Sequence, residues 1–113
     1  MTKVVFITLE DGRLWGFEAS GHAGYGEYGT DIVCAAISAL TQSTVGGITE
    51  VIGAKVHHRM DEKTGYLQMT LSNETDEETV EKAQILLKTL KMALTEISKD
   101  YPGTIRIINR ERR

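Results

Sequence analysis

The chain has 113 residues, thirteen basic against sixteen acidic, for a formal net charge of −3, and it carries a single cysteine. That length makes one domain burying roughly two-thirds of the surface its unfolded chain exposes, and one cysteine excludes an internal disulfide. The charge gives no electrostatic case for wrapping nucleic acid, no apolar segment is expected to reach bilayer-spanning length, and a start without a charged leader points to a soluble protein of the reducing cytoplasm.

Residues 3–9 are β-branched and aromatic and predict a strand, followed by a turn at Glu10-Asp11-Gly12-Arg13. Residues 14–19 return as a second strand, so the pair forms a hairpin with a slightly enlarged loop. This strand runs into Gly21-His22 and a glycine-rich loop that ends at Thr30 or Asp31, either of which can cap a helix. Val33, Ile37, Leu40, Ile48 and Val51, with Ala36, Thr44 and Gly47 between them, follow the helical period. Gly46-Gly47 predicts a bend or a close approach. Residues 54–60 and 66–71 predict two more strands around the turn 61–65. Thr75-Asp76-Glu77-Glu78 resembles a capping box, and Val80, Ala83, Leu86, Leu87, Leu90, Ala93, Leu94 and Ile97 form one apolar stripe. Tyr101-Pro102-Gly103 stops that helix before a strand over 104–108. The order ββαββαβ predicts an α+β fold, with two amphipathic helices on one face of a mainly antiparallel sheet. No linker, repeat or second domain is evident, so residues 1–113 form a single domain.

Potential chemistry concentrates at Cys34. A helix N-terminus or a neighbouring imidazolium favours the thiolate form of a cysteine, and Cys34 falls in the first helical turn. His22 lies where it can return across the loop as proton acceptor and donor. N–H groups of the helix start offer a place for a developing oxyanion. A free cysteine is more commonly a small buried hydrophobe, but at about 100° per residue Cys34 lies off the core stripe, in a polar file with Asp31, Ser38 and Thr41. Asp31 either orients His22 or caps the helix, and Ser38 either bonds within the site or back-bonds to the preceding turn. Gly21, Gly24, Gly26 and Gly29, interleaved with Tyr25 and Tyr28, make a loop able to fold over a peptide, the tyrosines or the sheet face near Trp15 supplying an apolar slot. An ordinary flexible loop is the plain alternative.

Other chemistries fit less well. A phosphate cradle lacks the lysine of a GK[ST] ending and would set Glu27 and Asp31 against the anion. His22, Cys34, His57 and His58 lack zinc-ligand spacing, and in a strand the rings of His57 and His58 point to opposite faces. No metal and no cofactor are expected. Arg106, Arg110, Arg112 and Arg113 cluster near the end of the chain, where a solvated tail is the expected reading and direct RNA binding is not.

The string Gly21-His22-Ala23, followed by Gly29-Thr30-Asp31-Ile32-Val33-Cys34-Ala35-Ala36, resembles the Prp family of ribosomal-processing cysteine proteases, and the resemblance covers essentially the full chain. It implies a cysteine endopeptidase whose dyad is Cys34 and His22, with Asp31 in support. It further implies a homodimer and a glycine-rich loop closing over the substrate. The implied substrate is the precursor of large-subunit ribosomal protein number twenty-seven, whose N-terminal extension is removed after an aromatic pair. Two readings compete with this: a non-catalytic module binding ribosomal protein or RNA, and a thiol-dependent acyltransferase or deamidase.

Overall fold

A computed structural model describes residues 1–27 and 31–113. The element order is β1 (Thr2–Thr8), β2 (Leu14–Ser20), α1 (Ile32–Gly46) continued by a π-helical turn (Gly47–Val51), β3 (Val56–Asp61), β4 (Tyr66–Leu71), α2 (Glu77–Asp100) and β5 (Ile105–Glu111). The five strands form one sheet in the order β3-β4-β2-β1-β5. All neighbours are antiparallel except β1 and β5, which α2 makes parallel. The α+β arrangement expected from the sequence is the one observed.

Alternation along the strands divides the sheet into two faces. Val4, Phe6, Phe17, Leu67 and Met69 point toward the helices and meet Val33, Ile37, Ile48, Leu87, Leu90 and Leu94 in the core. Gln84 is a buried polar residue of α2. Its side chain accepts from Leu14 N at 2.7 Å and donates to Leu14 O at 2.7 Å, tying α2 to the start of β2. Gly16 admits the close pairing of β2 with β4, because a Cβ there would lie 2.1 Å from the Met69 carbonyl oxygen.

Several expectations are corrected. Val51, placed on the apolar stripe of the first helix, is 84% exposed. The wider π turn breaks the 3.6-residue period at Gly47 and rotates Val51 outward. Gly47 itself is the expected close approach, with Leu86 of α2 packed where a side chain would be. The cap of α2 is Asp76, which accepts from Thr79 N, whereas the Thr75 hydroxyl turns back to Ser72 O. The last strand runs to Glu111, beyond the expected end at residue 108. Finally, Ile32–Val51 is long and apolar enough to cross a membrane by length and composition, contrary to expectation. In this fold the segment packs on the sheet and α2 through Val33, Ile37, Val45 and Ile48.

Candidate active site

The cleft lies where the loop after β2, the start of α1 and the β3–β4 turn meet. It has a volume of about 530 Å³ and is lined by both His22 and Cys34, together with Asp31, Ser38 and Thr41. The polar file read from helical geometry is therefore the wall of a cleft. Two of its members, Asp31 and Thr41, are buried rather than solvated.

Asp31 organises the loop. As the N-cap of α1 its Oδ1 accepts from Val33 N and Cys34 N at 2.9 and 3.0 Å, while Oδ2 accepts from Tyr25 N and Gly26 N at 2.8 and 3.1 Å. One carboxylate thus ties the glycine loop to the helix start. Burial by itself would raise the pKa of this acid. The N–H bonds from Cys34, Gly26, Tyr25 and Val33 outweigh that and hold it below the ordinary carboxylate value. Of the two roles left open by the sequence, capping is the one seen, extended by a second pair of bonds to the loop.

The same bonds revise the expected oxyanion site. Val33 and Cys34 N–H groups already serve the Asp31 carboxylate, and Ala35 N donates to Asp31 O at 3.0 Å. The donor placed at the sulfur is instead Ala23 N–H, which lies 3.1 Å from Cys34 Sγ. Ala23 is buried beneath the loop, so the residue following His22 is fastened to the half-buried thiol.

His22 is exposed, with its backbone set by Gly21 at φ +86°. A Cβ on Gly21 would come within 2.8 Å of the Met1 carbonyl oxygen. Behind the imidazole stands Gly65 of the β3–β4 turn, at φ +68°, where a Cβ would lie 2.8 Å from Gly21 O and 3.3 Å from His22 Cε1. In the sequence Gly65 shows only as a turn residue, because a contact spanning 43 positions leaves no local signal.

The remaining wall differs from expectation as well. Tyr25 packs edge-on against Tyr101 at the end of α2, with ring centroids 5.0 Å apart. Trp15 lies at the other end of β2 beneath Arg112. The apolar surfaces of the cleft come from Ala35, Ile37, Met60, Tyr66 and Leu67, with Asp61 and Glu62 at the rim. Gly21, Gly24 and Gly26 line the cleft as expected, while Tyr28, Gly29 and Thr30 lie outside the described residues. Ser38 faces the cleft with its hydroxyl accepting from Gln42 Nε2 at 2.6 Å, and Thr41 makes the back-bond to Ile37 O. Among the described residues no three metal-ligating side chains cluster.

The cysteine protease Prp family matches residues 1–106. A ribosomal processing cysteine protease Prp of Bacillus subtilis strain 168 is 30% identical over 107 residues, which cover 95% of this chain and 96% of that one. Its counterpart in Staphylococcus aureus strain Mu50 is 32% identical over 104 residues, covering 91% and 94%. The crystal structure of the S. aureus protease with a covalently linked product peptide superposes with a TM-score of 0.85 at 28% identity, over 97% of this chain and 100% of the other. SMU.848 from Streptococcus mutans gives 0.83 at 34% identity, over 99% and 96%. A sheet backed by two helices, with a thiol at the head of the first, is here the framework of a cysteine protease. The chain belongs to the Prp family.

Proposed function

We propose that this protease cleaves a ribosomal protein precursor, removing the N-terminal extension of large-subunit ribosomal protein number twenty-seven in support of ribosome assembly. Cys34 acts as nucleophile and His22 as its proton partner. The observation that carries the assignment is the bond from Ala23 N–H to Cys34 Sγ, which seats the sulfur beside the residue following His22 in a cleft that both side chains line. The relatives' names, and an S. aureus structure holding a substrate peptide (TM-score 0.81, 26% identity), support the substrate class.

In this reading the Cys34 proton passes to His22, and Sγ adds to the scissile carbonyl carbon. The C–N bond breaks as the imidazolium returns the proton to the leaving amine. Water then gives a proton to His22 and cleaves the thioester, releasing the acid and restoring the thiol. The apolar walls at Met60, Tyr66 and Leu67 suit aromatic residues beside the cut, and the rim acids Asp61 and Glu62 suit a basic chain. The homodimer is proposed to form through the outward side of α1, where Ile32 and Ala39 are exposed. A reducing cytoplasm would keep Cys34 a thiol.

The test is incubation of the protein with a peptide spanning the extension, read by mass spectrometry. Cleavage at one bond, lost in both Cys34→Ala and His22→Ala, is expected. Tight binding without cleavage by the parent protein would replace this reading with the non-catalytic binding module.

A further inference from the structure

All four arginines near the end of the chain are exposed as expected, but Arg106 and Arg110 lie within β5, with Arg112 and Arg113 just past its end. Pairing places Arg106, Ile108 and Arg110 of β5 beside Lys3, Val5 and Ile7 of β1, on the sheet face away from the helices. Arg59 of β3 reaches the same face opposite Gln68. Beyond β5, Arg112 N donates to Thr8 O at 2.7 Å, and its guanidinium lies 4.4 Å from the Trp15 ring centroid. Arg110, Arg112 and Arg113 line a second cleft of about 520 Å³ with Ile7, Trp15 and Asn73.

Two features make this face unusual in a chain of net charge −3. Arginine is segregated: apart from Arg13, every arginine lies on this face or at its end, whereas the cations of α2 are all lysines. Guanidinium is the cation suited to two-point contact with phosphate and to stacking on flat rings. Counter-charge is the second: along the paired strands it comes from Glu18 and, at the β3 edge, from Asp61, which shares the side of Arg59. Glu18 meets Arg110 at 3.4 Å with both side chains partly exposed, a pairing weak enough for phosphate to replace. Glu111 is the carboxylate lining the second cleft.

We propose that the open face of the sheet is an RNA-docking surface, with Arg59, Arg106, Arg110 and Arg112 on phosphates and the Trp15 end of β2 beside the bases. The choice of RNA among polyanions rests on the ribosomal substrate proposed above. The charge argument itself does not. The second cleft sits where β1 ends and β2 begins, and the thiol cleft at the opposite ends of those strands, about 20 Å away at ~3.3 Å per strand residue. One molecule can therefore hold RNA and a peptide together.

The experiment is fluorescence anisotropy with a labelled single-stranded RNA of about a dozen nucleotides over 50–300 mM salt, run beside cleavage of the extension peptide. Binding should weaken with salt, each phosphate contact contributing about 0.7 to the log–log slope. Arg106→Gln with Arg110→Gln should weaken binding at least tenfold and lower the slope by about 1.4, with peptide cleavage unchanged. Four results overturn the proposal: no salt-dependent binding, binding that survives the double variant, equal competition by polyglutamate, or a change in molecular mass in the variant showing that a second copy covers the face. Loss of peptide cleavage by the parent protein would instead refute the proposed substrate, so the two failures are distinguishable.

Discussion

Gly65 stands where any side chain would press on His22, since its Cβ would fall 3.3 Å from His22 Cε1 and 2.8 Å from the Gly21 carbonyl oxygen. Its φ of +68° adds a backbone penalty for an L side chain, about 1–2 kcal/mol. Gly65→Ala is expected to lower Tm by several degrees and to cut kcat/KM by up to about 10²-fold through displacement of the imidazole. Unchanged kcat/KM in the folded variant would show that this backing does not set the position of His22.

Asp31→Asn should release the loop from the helix start, because an amide oxygen is a weaker acceptor than a carboxylate for four N–H groups. A fall in kcat/KM of about ten- to a hundredfold is expected, with faster hydrogen exchange at Tyr25 and Gly26. The pH dependence has a definite sign. The folded pKa lies below the ordinary value, so the stabilisation is complete above about pH 4 and disappears as pH falls through the lower folded pKa. Protection of the Tyr25 and Gly26 amides should therefore persist to about pH 4 and fade below it. Asp31→Asn should lack that acid transition.

Tyr101 touches the loop from outside the cleft, through its edge-on contact with Tyr25. Tyr101→Ala removes a contact of about 1 kcal/mol, so kcat/KM should fall about fivefold, chiefly through KM. A loss confined to kcat would mean that the loop takes part in the chemistry rather than in holding substrate.

Gln84→Leu tests the tie between α2 and β2. The substitution keeps an apolar-sized side chain but leaves Leu14 N–H and C=O without their buried partner, at a cost of about 2 kcal/mol. Thermal unfolding should move down by about 5–10 °C, with peptide cleavage by the folded protein little changed.

The elements were legible in the sequence where one local period dominates. Val80 to Ile97 announces α2, and the β-branched run from Val4 to Ile7 announces β1. Val51 departs from the helical stripe because the π turn changes the period without changing residue type. Arg106 falls inside the strand expected over 104–108, whereas Arg110 joins it only because pairing with β1 carries β5 on to Glu111. In the cleft, Gly21, His22, Asp31 and Cys34 could be picked out because they lie within one short stretch. Gly65, Met60 and Tyr66 enter only when β4 pairs with β2, and that pairing is a property of the closed sheet.

The cleft is consequently assembled from two kinds of chain. The side chains proposed for bond breaking lie twelve positions apart and are brought together by closure of one short loop, at small entropic cost. The wall that meets the rest of a peptide arrives from residues 60–67 on a separate hairpin at the sheet margin. Mutations in that hairpin can alter which peptides are accepted while leaving the helix start intact. Peptide preference can therefore be changed without touching the helix start, with Gly65 as the hairpin position whose substitution would press on His22.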